Sequence, residues 1–212
     1  MKPVMLVDMD DVLEDLTTAW TSAIHERYGY YKASEDITEW DMWKFYPDLE
    51  PNYLYGILED PDFWATIKPF SDAIEYIPKL QKYFDVYVLT AGNYKSISSK
   101  IVNIIFKYFP TIDNDHVIVC HNKQLVRGDI IIDDGLHNLI GHSAKYKILF
   151  DTPHNRVPIN NDIIRLFNWK DIYDYLTRIY DPNVDRCVIC GEYVPEGTMV
   201  CNKCYNKYKG GE

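Results

Sequence analysis

Val4-Met5-Leu6-Val7-Asp8-Met9-Asp10-Asp11-Val12 joins a short apolar run to a cluster of carboxylates, and its reading decides the fold. Four apolar residues ahead of a helical pattern read as a buried strand. The acids then stand at its carboxyl end, where open α/β sheets place their ligands. One residue separates Asp8 from Asp10, so on an extended backbone the two side chains share a face. Carboxylates that close repel each other unless a cation or a proton lies between them. Leu13, Leu16, Trp20, Ile24 and Tyr28 then recur at helical spacing, which predicts a helix ending near Gly29.

Three more apolar runs each close on a polar group. Val86-Tyr87-Val88-Leu89 ends at Thr90, Val117-Ile118-Val119-Cys120 precedes Lys123, and Ile130-Ile131-Ile132 ends at Asp133-Asp134. Between them, Ala73, Ile74, Ile77 and Leu80 predict a helix bent at Pro78, and Ile97, Ile101, Ile104, Ile105 and Tyr108 a helix ending before Pro110. Residues 147–150 read as the last parallel strand and 169–180 as a closing helix. Strands alternating with helices predict a parallel sheet covered on both faces.

The order strand-DxD, strand-Thr, Lys, strand-DD resembles the haloacid dehalogenase superfamily of aspartate-nucleophile phosphatases. Within it the chain is most similar to the 5'(3')-deoxyribonucleotidases of the cytosolic and mitochondrial type. The likeness rests on Asp8-Met9-Asp10 with Val12-Leu13, Phe63-Trp64 before Pro69, Val88-Leu89-Thr90, Asn122-Lys123 and residues 128–134, and continues through Ile148-Leu149-Phe150, His154-Asn155 and residues 166–169. It implies a Rossmann-like α/β sheet with a small helical cap inserted after the first strand and helix. It also implies that Asp8 attacks phosphorus to form an aspartyl-phosphate, while Asp10 protonates the leaving oxygen and then activates water. Thr90 and Lys123 would hold the phosphate oxygens. Mg2+ would sit on Asp8, the main-chain carbonyl of Asp10, and Asp134, with Asp133 behind it. Two positions depart from the pattern: Asp11 replaces the usual Gly, at a place where Asp tolerates a left-handed backbone, and Leu16 replaces an aromatic near the base.

Residues 30–70 fall where the superfamily inserts its cap, and they are rich in aromatics. Trp40, Trp43, Phe63 and Trp64 are the candidates for contacts with a nucleobase, since aromatic faces stack on any base. A small cap also needs an apolar core of its own, which competes for the same residues.

Beyond Asp181-Pro182-Asn183 the pattern changes. Cys187, Cys190, Cys201 and Cys204 form two CxxC pairs around a turn-rich spacer, which looks like a zinc knuckle or ribbon. So short a segment has too small a core to fold without a staple, and Zn2+ is expected there rather than disulfides. Cys120 reads as a core residue. The expected division is residues 1–29 and 71–181 for the phosphatase core, 30–70 for the cap, and 182–212 for the zinc module.

With 212 residues, 47% of them apolar, the chain can bury a full core, and its net charge of −10 argues against a broad grip on nucleic acid. The N-terminal residues pass straight into a strand and no run is long enough to span a bilayer, so a cytoplasmic protein is expected. The expected partner is a nucleoside monophosphate. A homodimer is left open, and neither a membrane nor nucleic acid is expected. Two other readings remain: a phosphatase of another small ester, and a non-catalytic, zinc-bearing interaction or nucleic-acid-binding protein.

Overall fold

The computed structural model describes residues 2–180, 184–191 and 193–209. Val4–Val7 forms β1, and its three last residues are buried. On one side it pairs with β2 (Asp85–Thr90), in the register Val7 to Val88, and on the other with β4 (Ile130–Asp133), in the register Val7 to Ile132. β3 (Val117–Val119), β5 (Tyr146–Phe150) and β6 (Ile163–Leu166) complete a six-stranded sheet in the order β3-β2-β1-β4-β5-β6, and every pairing is parallel. The chain moves outward from β1 to β3 and returns at β4. The crevice between β1 and β4 is therefore the point where the winding reverses, and ligands of such sheets bind there. All four residues of β4 are buried, as a strand covered on both faces must be.

The expected parallel α/β sheet is found, with one strand more than the sequence showed. β6 was not foreseen, because Ile163-Ile164-Arg165-Leu166 carries an arginine and lies on the sheet edge, where the apolar signal is weak. Arg165 is drawn in by Asp151, 2.8 Å from Nη1, and by Asn155 Oδ1 at 2.6 Å.

Helix α1 (Leu16–Tyr28) buries Leu16, Trp20, Thr21 and Ile24. It stops at Gly29, whose φ of +79° sets the left-handed cap from which its N–H reaches His25 O. The cap inserted after β1 and α1 contains one short α-helix, α2 (Pro51–Gly56), among single 3-10 turns. Its core is Ile37, Met42, Tyr46, Leu54, Ile57, Phe63, Trp64 and Ile67, all buried. Helix α3 (Ser71–Leu80) tolerates Pro78 in its last turn. The next helix is α only over Ile97–Lys100 (α4) and continues as a π-helix over Ile101–Phe106. There the buried face is Lys100, Ile104, Ile105 and Phe109, so a lysine occupies a place in the predicted apolar stripe. Cys120 packs against the sheet core, as expected.

Residues 1–169 and 170–212 make two compact units. The division falls one residue into α5 (Trp169–Tyr180), whereas the composition change at Asp181-Pro182-Asn183 lies outside the described residues. The second unit also holds a bridge between Arg186 and Tyr193, and helix α6 (Asn202–Lys209). No helix among the described residues is long and apolar enough to cross a membrane.

Candidate active site

The strand ends bring the acids together. Asp8 follows β1 and donates its N–H to Ile132 O at 2.9 Å, which sets it beside Asp133 at the end of β4. Asp8 Oδ1 accepts from Met9 N at 2.7 Å and lies 2.6 Å from Lys123 Nζ. Lys123, on a 3-10 turn after β3, also reaches Asp133 Oδ2 at 2.8 Å. Asp133 Oδ1 accepts from Gly135 N at 2.8 Å and Asn138 Nδ2 at 2.9 Å, so donors hold both of its oxygens. Glycine is needed at 135, because a Cβ there would sit 2.9 Å from that same Asp133 oxygen.

Asp134 differs from Asp133. It is 3% exposed, its Oδ2 lies 2.7 Å from His154 Nε2, and its Oδ1 has no hydrogen-bond partner among the described residues. Asp8, Asp133 and Asp134 offer ligand atoms within 4.8 Å of one another. An orphaned, buried carboxylate oxygen is costly, and a hard divalent cation is a chemically fitting partner for it.

Electrostatics follow from burial. Burial, then Asp133 and Asp10, push Asp8 up to about 7 against the pull of Lys123. Asp134 is raised by burial and then by Asp8 and Asp133. Burial lowers Lys123, but Asp8 and Asp133 outweigh it and the ammonium is held firmly charged. His154 is pushed by burial down to about 4 and is neutral at physiological pH.

Asp10 points to another lysine. Its Oδ2 lies 2.6 Å from Lys100 Nζ, which also donates to Thr90 Oγ1 at 2.8 Å and Ala91 O at 2.7 Å. Sequence reasoning missed Lys100, because a lysine inside an amphipathic stripe reads as a solvent residue. Its signal was position: it falls on the buried face between Ile97 and Ile104, where the helix widens to a π-turn, a feature frequent at functional sites. Thr90 is fully buried with its hydroxyl turned to Ala91 O at 3.2 Å, so it stands behind the cavity wall, below Ala91.

Glu14 is fully buried beside Asp10, and neither of its oxygens has a donor. Burial first, then Asp10, raise its carboxyl well above the ordinary 4.5. The native state therefore holds this proton, while the unfolded chain releases it above pH 4.5. Its stabilising contribution is complete below that pH and is lost as pH rises toward the native value. Glu14→Gln cannot titrate, so its stability relative to the parent should increase from pH 4.5 upward, by at most about 1.4 kcal/mol per pH unit. Urea unfolding of both proteins at pH 4 and pH 8 measures this; an equal difference at the two pH values would mean that Glu14 is charged when folded.

Asp11 has a φ of +52°, so the substitution for the family's glycine keeps the left-handed backbone. Its carboxylate accepts from Thr17 N at 2.9 Å and Thr17 Oγ1 at 2.5 Å, and burial raises it to about 7.

Above these groups lies a cavity of about 390 Å³, large enough for a small ligand. Asp8, Asp10, Lys123 and Asp134 line its floor, and Leu16, Trp20, Ile37, Trp40, Met42, Tyr55 and Leu58 its apolar walls. Of the four expected aromatics only Trp40 lines it. Phe63 and Trp64 are buried in the cap core, with Trp64 Nε1 bonded to Leu58 O at 3.0 Å, and Trp43 is exposed away from the cavity. Trp40 packs edge-on against His137 and His154, at 4.7 and 5.3 Å between ring centres. Trp20 and Tyr55, whose rings meet at 5.5 Å, supply aromatic surface beside Leu16.

In the second unit Cys187, Cys190, Cys201 and Cys204 offer sulfurs within 4.8 Å of one another. Backbone N–H groups of Cys201, Cys190 and Ile189 help bring the Cys187 thiol down to about 6, while a proton shared first with Cys190 holds Cys204 up to about 12. The cluster could hold a metal ion.

The fold and the sequence resemble those of known proteins. A putative HAD-hydrolase from Bacillus subtilis bound to magnesium shares the fold, with a TM-score of 0.54 at 14% identity over 82% of this chain and 98% of that one. So does a HAD family hydrolase from Deinococcus radiodurans with bound phosphate and sodium, at 0.57, 13%, 83% and 95%. The 5'(3')-deoxyribonucleotidase of Bacillus subtilis (strain 168) is 36% identical over 173 residues, 81% of this chain and 97% of its own. That of Clostridium acetobutylicum is 33% identical over 172 residues, 80% and 92%. The family model of the 5' nucleotidase, deoxy (Pyrimidine), cytosolic type C proteins matches residues 2–180, and the chain belongs to that family of HAD-type hydrolases.

Proposed function

We propose that the protein hydrolyses deoxyribonucleoside 5'(3')-monophosphates to deoxynucleoside and phosphate through an aspartyl-phosphate on Asp8. The observation that carries this reading is the joining of Asp8, Lys123 and Asp134 on the floor of a cavity of about 390 Å³ with apolar and aromatic side chains on part of its wall. Relatives at 36% and 33% identity bear the name of that activity.

Asp8, Asp134 and the main-chain carbonyl of Asp10 would hold Mg2+, whose charge draws phosphate and attacking carboxylate together when it is bound. Asp133, tied to Lys123, Gly135 and Asn138, fixes the strand end from behind. Lys123 favours the ionised form of Asp8 against the effect of burial and faces the incoming phosphate oxygens. Asp10, steadied by Lys100, delivers its proton to the leaving oxygen and takes one back from water. For Thr90 to hold phosphate, its hydroxyl would have to leave Ala91 O; in the resting arrangement it steadies Lys100. The base would lie among Leu16, Trp20, Trp40 and Tyr55, with Trp43, Phe63 and Trp64 serving the cap itself.

The test is phosphate release from a panel of deoxy- and ribonucleoside 5'- and 3'-monophosphates with Mg2+. Release confined to ribonucleotides or to non-nucleotide esters would give the active site to a different ester. Within the panel, Trp40→Ala should raise KM about 5- to 100-fold, from a lost stack worth about 1–3 kcal/mol, while Trp43→Ala leaves it unchanged.

The four cysteines would bind one structural Zn2+ in a ribbon-like module. One zinc per chain is expected by metal analysis, and none in a protein carrying Cys187→Ser and Cys201→Ser; equal zinc in both would place the metal elsewhere.

A further inference from the structure

We propose that Asp11, Asp134 and His154 form a second divalent-cation site, of the Mn2+ class, beside the Mg2+ position and sharing Asp134 with it. The three side chains offer ligand atoms within 4.8 Å of one another. An ion with bonds of about 2.1 Å spans ligands up to about 4.2 Å apart, so a contraction of a few tenths of an ångström closes the set.

The donor chemistry separates this set from its neighbour. Asp8, Asp133 and Asp134 offer oxygen alone, which suits Mg2+, whereas two carboxylates with an imidazole suit a transition ion. His154 Nε2 already lies 2.7 Å from Asp134 Oδ2, which leaves the buried Oδ1, unpartnered among the described residues, to the Mg2+ position. A carboxylate with two oxygens can serve two ions. Thr17 fixes Asp11 through its N–H at 2.9 Å and its hydroxyl, the kind of outer bond that orients a metal ligand. Asp11 and His154 line the main cavity and also a neighbouring one with Thr17, Thr152 and Arg156, so an ion can reach them from either side.

The count of groups points the same way. Five carboxyl groups, Asp8, Asp10, Asp11, Asp133 and Asp134, gather around two ammonium groups, Lys100 and Lys123, an excess of acid that divalent cations relieve.

Mn2+ titration of the full-length protein followed by electron paramagnetic resonance tests the site without reference to turnover. Two bound Mn2+ are expected, with a broadened spectrum from ions about 3.5–4 Å apart. Asp11→Gly relieves the left-handed backbone and should fold, and His154→Gln keeps a donor for Asp134. Each should weaken the second ion about 100-fold or more and restore the spectrum of a single ion. One bound Mn2+ in the parent protein, or two in Asp11→Gly, would overturn the proposal, as would His154→Gln behaving like the parent. The nucleotidase reading fails separately, through the substrate panel.

Discussion

Asp8→Asn should lower phosphate release by about 10⁴-fold or more while leaving the protein folded. The amide matches the carboxylate in size but cannot attack phosphorus, and no other carboxylate stands where Asp8 does at the end of β1. Folding survives because Lys123 keeps Asp133 as a partner at 2.8 Å, and because the lost carboxyl was itself an unfavourable charge, raised to about 7 mainly by burial. Above pH 7 the metal-free variant should be at least as stable as the parent, since the parent must ionise Asp8 in a buried site. Phosphate release and urea unfolding, measured on the same preparation, check both halves. Substantial activity in Asp8→Asn would remove the aspartyl-phosphate mechanism, whatever the stability shows.

Lys123→Met tests the other side of that pair and should damage both stability and activity. It strips the cation from Asp8 Oδ1 and Asp133 Oδ2, in a place where Lys123 is 4% exposed and water cannot substitute. Breaking a buried pair by removing one partner costs about 3–5 kcal/mol. The sign with pH is definite. Without Lys123 the buried Asp8 carboxyl holds its proton to higher pH in the folded state than in the unfolded chain, so the variant loses stability as pH rises from 5 to 8. Unfolding at those two pH values, beside phosphate release at saturating substrate, measures the effect. A variant as stable as the parent at pH 8 would mean that the pair contributes nothing net.

Much of the site could be read from the chain because sheet topology concentrates chemistry at strand ends. Asp8, Thr90, Lys123 and Asp133-Asp134 each follow an apolar run, and the parallel sheet places those run ends along one edge. The period of the apolar residues located the run ends, and the resemblance of the polar order to the superfamily pattern singled these residues out. Lys100 and Glu14 were missed for the opposite reason. Each is a charged residue at a helical or turn position, where composition predicts a solvated face, and each is buried. The cap aromatics show a third case: Trp40 and Trp64 are alike by sequence, yet one lines the cavity and the other fills the cap core.

The sequence by itself determined the parallel α/β class, the carboxylate pair at the first strand end, the glycine stop of α1 and the four-cysteine group. Each is set by local periodicity, by backbone preference or by close spacing of donors. Only the tertiary structure decided that Lys100 faces Asp10, that Asp133 is held by donors while Asp134 keeps an oxygen free, that His154 meets Asp134, and that β6 extends the sheet. Those outcomes depend on which distant segments share a small buried volume. There the cost of an unpaired charge selects partners far apart in the chain, ninety residues for Lys100 and Asp10.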